Sequence, residues 1–155
     1  MIMASQRYLG IPNAVVLCID AYDDDLRGYK YDLYHTEADP FHSELEMLLK
    51  MEKLYDDLNF PFPGNNERYF NKKGTVVMKE KLEKVMKDDD LLEMHGDLGT
   101  FIVRVQHRQN SSWQGRITWV EEDKTVYFRS VWEMMKLIEE ALGENKETED
   151  PSWKE

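Results

Sequence analysis

From Val15 to Tyr22 the chain is almost continuously apolar and rich in β-branched residues, bounded by Pro12 and by Asp23-Asp24-Asp25. That pattern predicts a strand followed by a turn. Tyr29, Tyr31 and Leu33 then alternate with Lys30 and Asp32, predicting the returning strand of a hairpin, and Thr36 to Pro40 predicts a second turn. From Ser43 the period changes. Met47, Met51, Leu54, Tyr55 and Leu58 form one stripe of an amphipathic helix. Ser43 and Glu46 supply a capping box at its start, and Asn59, Pro61 and Pro63 end it.

A similar plan recurs at an offset of 87 residues. Phe101, Val103 and Val105 alternate with Arg104 and Gln106, Gln109 to Ser112 predicts a turn, and Trp113 to Glu121 returns. Glu122-Asp123 leads to a short strand over Lys124 to Phe128. Ser130 and Glu133 repeat the capping box before a stripe of Met134, Ile138, Ala141 and Leu142. Gly28/Gly115, Phe41/Phe128, Ser43/Ser130, Glu46/Glu133 and Met47/Met134 coincide without a gap, as do Val16/Val103 and Glu52/Glu139. One mismatch stands against a doubled unit. Tyr29 and Tyr31 fall on Arg116 and Thr118, whereas the apolar residues there are Ile117 and Trp119. A one-residue slip inverts a strand, so either one half carries a bulge or the correspondence is partly fortuitous. Between the halves, Met78, Leu82, Val85 and Met86 predict a third helix. Asp88-Asp89-Asp90 suits the end of that helix poorly and suits the start of a short following turn.

The expected class is α+β: antiparallel hairpins or meanders, each followed by a helix, in two similar halves with a helix inserted between them. A single compact domain is expected over 1–142, with halves 14–58 and 101–142, an insertion 59–100, and an acidic mobile tail 143–155. The longest apolar run, Ala14 to Ile19, is far below the ~20 residues of a membrane span. No secretory leader is visible, and a lone Cys18 in VVLCI fits a reducing cytoplasm and a buried structural thiol.

Charge changes this picture locally. The formal net charge of −11 argues against the whole protein embracing nucleic acid. Yet residues 101–130 sum to +2, against −7 for residues 1–58, −1 for 59–100 and −5 for 131–155. If Phe101, Val103 and Val105 face the core, one hairpin face displays Arg104, Gln106, Arg108, Gln114 and Arg116, a candidate anion or nucleotide surface. The favoured bland reading is an outer sheet face whose arginines pair with the chain's own surplus carboxylates.

Catalytic and cofactor templates are missing. There is no HExxH, CxxC, G-x-S-x-G, P-loop or Rossmann pattern, and His35, His42, His95 and His107 are scattered. Asp23-Asp24-Asp25 with Gly28 begins like a calcium loop, but Arg27 and Tyr34 occupy two ligand positions, so a solvated turn is expected and no metal. Trp113, Trp119 and Trp132 are read as core rather than as a stacking platform, and the methionine stripes as core filling.

Arg104-x-x-x-Arg108 and Asn110-x-Ser112-x-x-Gly115 resemble the two signatures of PilZ domains, which bind a cyclic dinucleotide, although only one residue separates the motifs here. RQNSSWQGRITW followed by FRSVWEMMKLIEEAL resembles a set of small uncharacterised bacterial proteins that share an RQN-x-SWQG hairpin, FRS and a terminal helix. The similarity covers about forty residues, and NFPFPGNNERYF is more loosely similar. It implies a shared fold and transfers no site. The leading functional expectation is a non-enzymatic cytoplasmic interaction or regulatory module, with a protein partner or self-association. The alternative is a small-anion or nucleotide sensor using Arg104, Arg108 and Arg116. An acidic mimic of nucleic acid and an enzyme assembled from distant residues rank below these.

Overall fold

The computed structural model describes residues 9–62, 70 and 82–146. They form a six-stranded antiparallel sheet and three helices, an α+β fold. The strands are β1 (Val15–Tyr22), β2 (Leu26–Tyr31), β3 (Asp39–Phe41), β4 (Gly99–His107), β5 (Gln114–Trp119) and β6 (Lys124–Phe128). The helices are α1 (Glu44–Leu58), α2 (Asp88–Leu92) and α3 (Val131–Lys146). The sheet order is β3-β2-β1-β4-β5-β6, so each half contributes one edge and the halves meet where β1 pairs with β4. Residues 143–146, expected in the tail, continue α3.

One sheet face is covered by α1 and α3. Val15, Leu17, Ile19, Phe101, Val103, Val105 and Ile117 pack there against both helix stripes. Met47, Met51, Leu54 and Tyr55 of α1, and Met134, Ile138, Ala141 and Leu142 of α3, are buried as their spacing predicts. The opposite face carries Val16, Cys18 and Ile102. It is covered by loop and turn residues Leu9, Leu33 and Val120, and by Met86, Leu91 of α2 and Met94 from the insertion. Burial pushes the Cys18 thiol up to about 12, with Asp20 and Glu121 adding to the effect, so the thiol is inert.

The stripe that predicts an inserted helix lies partly outside the described residues. Met78 lies outside the described residues, and 82–87 are not helical. The amides of Val85 and Met86 both donate to the Leu33 carbonyl instead. Among the described residues of the insertion the helical segment is the single turn α2, with Asp88, Asp89 and Asp90 in its first turn, where acids suit the dipole. Strand β3 takes up Asp39 and Pro40 from the end of the expected turn Thr36 to Pro40. Trp132 is exposed rather than core, as is Leu45, its counterpart 87 residues earlier.

Several contacts recur at positions 87 residues apart. Ser43 Oγ accepts the Glu46 amide and Ser130 Oγ accepts the Glu133 amide, while Glu46 and Glu133 accept from the amides of His42 and Arg129. Asp25 accepts the first helical amide of α1 (Glu44), as Ser112 accepts that of α3 (Val131). Gly28 pairs with Ile19 and Phe41, and Gly115 pairs with Val105 and Phe128. The phase mismatch resolves in these registers. Irregularities between Ile19 and Ala21 and between Val105 and His107 sit at equivalent points, one residue short of the 87 offset. Lys30, not Tyr29 or Tyr31, points to the helix face, opposite Leu17 and equivalent to Ile117.

Both glycines are required by close approach. A Cβ at Gly28 would lie 2.0 Å from the Cys18 carbonyl oxygen, and one at Gly115 would lie 2.0 Å from that of Arg104. Gly28→Ala and Gly115→Ala should each cost about 2–3 kcal/mol by overpacking. That exceeds the roughly 0.4–1 kcal/mol that alanine gains through the unfolded chain. Urea unfolding reads the cost, and an unchanged midpoint for either variant would contradict the close strand contact.

Candidate functional site

The β4–β5 hairpin does not present its basic residues on one surface. Arg104 and Arg116 are cross-strand neighbours on the face away from the helices. Arg104 is buried, donating from Nε to the Leu9 carbonyl at 2.7 Å and from Nη1 to Thr118 Oγ1 at 2.8 Å. The register shift after Val105 turns Arg108 to the other face, against α1. There its Nε donates to the Pro61 carbonyl at 2.7 Å and its Nη1 to Asp56 at 2.8 Å, with Glu52 at 3.3 Å. Nη2 reaches the Tyr55 carbonyl, and the guanidinium lies 5.9 Å from the Tyr55 ring centroid. Trp113 Nε1 donates to Glu52 and its ring meets Tyr55 edge-on at 5.3 Å. Gln114 closes the hairpin turn, exchanging bonds with the Gln109 backbone and reaching the Arg129 carbonyl. Gln106 sits at the irregularity, half-buried. Arg116 is half-buried, and its Nε meets no acceptor among the described residues. The basic residues are therefore divided between the two sheet faces, Arg104 and Arg116 on one and Arg108 on the other.

A different contrast emerges at the sheet edges, between matched positions of the two halves. In the C-terminal half, a groove of about 120 Å³ runs between α3 and β5–β6. Phe101, Ile117, Trp119, Val126, Leu137 and Ala141 line it, with Lys124 and Glu140 at the rim. Lys124 Nζ lies 5.9 Å from the Trp119 ring centroid, and Trp119 Nε1 has no acceptor among the described residues. The counterparts of Ile117, Trp119, Val126 and Leu137 are Lys30, Asp32, Asp39 and Lys50. These four charges fill the equivalent space with an ion-pair chain. Lys30 lies 2.7 Å from Asp32 and 3.7 Å from Asp39, and Lys50 lies 2.8 Å from Asp39. Burial alone would raise the Asp32 carboxyl. Lys30 and hydrogen bonds from Lys30, His35 and the Tyr34 amide outweigh it and hold the carboxyl below its usual range.

The edges differ in the same sense. Strand β3 is three residues long with Pro40 at its centre, a residue that cannot donate to a further strand. Strand β6 has five residues, no proline and an uninterrupted register with β5. Val126 and Tyr127 on it are exposed, Tyr127 by 72%. Such an edge is unusual unless something covers it.

The groove was not legible as a site in the sequence. Its only signal was the replacement of charged residues by apolar ones between matched halves. The aspartate triplet is a turn, in which Asp23 bridges Arg27 and Asp25 caps Leu26 and Glu44. Among the described residues no group of three His, Cys, Asp or Glu side chains is placed to hold a metal ion, and no helix is long and apolar enough to cross a membrane. Comparison with known protein families, with curated proteins and with solved structures finds no match, so no residue here takes a role from a relative.

Proposed function

We propose that this chain is a non-catalytic protein-interaction module. It is read as a doubled ββ-strand–helix unit in which one edge is sealed and the other docks an extended protein segment. The observation that carries this reading is the contrast at matched positions: Lys30, Asp32, Asp39 and Lys50 plug one groove, whereas Ile117, Trp119, Val126 and Leu137 leave the other open. An added strand along β6 gains main-chain hydrogen bonds from the edge, and alternate side chains give specificity. A volume of about 120 Å³ suits one apolar side chain, and beside the groove lies a shallower depression of about 520 Å³ that shares Val126, Leu137 and Glu140 with it. Arg104 and Arg108 play no part in this reading, because their donors are committed within the fold.

Selection of displayed linear peptides on the purified protein tests it. Binders should lose at least about tenfold affinity on Leu137→Glu, a change of ~1.4 kcal/mol, and keep it on Leu49→Glu, an exposed position on α1. Peptides that bind Leu137→Glu as tightly as the parent protein would sink the proposal.

A further inference from the structure

We propose, building on the reading of β6 as a docking edge, that the docked strand is β6 of a second copy. The pair would form a continuous twelve-stranded antiparallel sheet about a two-fold axis at Val126. Three observations support this occupant.

The first is self-complementarity. Antiparallel pairing centred on Val126 sets Thr125 opposite Tyr127 and Lys124 opposite Phe128. Asp123 and Arg129, which flank the strand at its two ends, are then brought to the same end of the seam from opposite copies, twice per dimer. Arg129 projects beyond the end of β6 with its side chain 86% exposed, already bridged to Glu133. Opposite charges brought together across the seam favour this register, and an isologous contact closes without leaving a new edge.

The second is charge. Two copies at −11 repel, so any self-contact must fall where charge is locally balanced. Along β6 and the surface it shares with α3, Lys124, Arg129 and Lys136 stand against Glu133 and Glu140, a local sum of +1, with the acidic turn Glu121-Glu122-Asp123 at one end of the strand. The acidic residues of the N-terminal half then lie at the far ends of the joined sheet, beyond the reach of a Debye length of about 8 Å at physiological salt.

The third is that the fold already joins its halves this way. Val15 pairs with Val103 and Leu17 with Phe101, about a local two-fold at Val16 and Ile102. A β6–β6 pair repeats that geometry, and it places the two Val126 side chains between the two α3 helices, where each copy's Leu137 lines the groove and the depression beside it.

Sedimentation of the full chain over a concentration series into the high-micromolar range tests the proposal, together with cysteine cross-linking. The parent protein should dimerise, and Val126→Lys, a change at an exposed position, should weaken the dimer at least tenfold. Val126→Cys should form a disulfide-linked dimer under mild oxidation, since facing strand residues about 4.5–5.5 Å apart meet the span of a disulfide. Thr125→Cys alone should not link, whereas Thr125→Cys mixed with Tyr127→Cys should. A monomer at every concentration, or a dimer indifferent to Val126→Lys and not linked through Val126→Cys, overturns the second-copy assignment. If that monomer still selects peptides that are lost on Leu137→Glu, the docking edge stands with a different occupant. If it selects none that are, both proposals fall.

Discussion

Lys30→Met should cost about 3–5 kcal/mol of folding free energy, the usual loss when one partner of a buried ion pair is removed. Both side chains are out of water, Lys30 at 3% exposure and Asp32 at 2%, so the remaining carboxylate has no solvent to turn to. At roughly 2–4 °C per kcal/mol for a chain of this size, the melting temperature should fall by about 6 °C or more. Lys30→Met with Asp32→Leu should recover most of the loss, because replacing a buried pair by apolar residues is often neutral or stabilising. The C-terminal half shows the space accepts that chemistry, with Ile117 and Trp119 at the same two positions.

The pH response separates charge from packing. In the parent, the folded Asp32 carboxyl is held below its ordinary value. Its contribution is therefore complete above the unfolded value and is lost as pH falls through the folded one. Without Lys30, burial is opposed only by the hydrogen bonds from His35 and the Tyr34 amide, so the folded carboxyl lies higher than in the parent. The variant therefore loses less stability than the parent as pH falls. The difference in melting temperature between parent and Lys30→Met should narrow on acidification. A difference constant with pH would mean that Lys30 acts through its stem alone.

The same residue shows where sequence reasoning stops. Strands β1 and β6 lie on the residues whose patterning predicts them, and both helices begin at their capping serines. These features are local: a run of apolar residues, or a hydroxyl three positions before an acid, carries its own physical reason. Lys30 lies in an alternating run, where a lysine is by default outward. Its inward placement depends on Asp32 and Asp39, two residues whose role is visible only once β2 and β3 are paired. Strand β3 is hidden for a related reason, since three residues around Pro40 have no periodicity to read. The irregularities after Ile19 and Val105 are the remaining gap. A bulge changes which face every later side chain meets, so alternation counted straight through Gln106 put Arg108 on the same side as Arg104. The burial of Arg104 was out of reach as well, because the Leu9 carbonyl that holds it lies 95 residues away in the chain.

Arg108→Met should cost about 3 kcal/mol, or roughly 6–12 °C in melting temperature. The methionine fills most of the volume, so the loss is in hydrogen bonds. The Pro61 carbonyl loses its bond from Nε, and the Tyr55 carbonyl at the end of α1 loses its bond from Nη2. Bonds from a charged donor contribute roughly 1.5–3 kcal/mol each, and the buried Pro61 carbonyl adds its desolvation, whereas the Tyr55 carbonyl keeps the Phe60 amide. The carboxylates soften the effect. Glu52 is 33% exposed and Asp56 46%, so both regain water when the guanidinium goes. Arg108→Lys should recover little, because a single ammonium cannot reach two carbonyls and two carboxylates that the planar fork serves at once. Arg116→Ala, by contrast, should stay within about 0.5 kcal/mol, as half-buried positions outside such networks usually do. The pair of results decides between a structural and a ligand role for the basic hairpin. An arginine kept to bind an anion is dispensable to the ligand-free fold. If Arg108→Met melts with the parent protein, the bonds to α1 carry no net stability, and Arg108 is again available to a nucleotide or other anion.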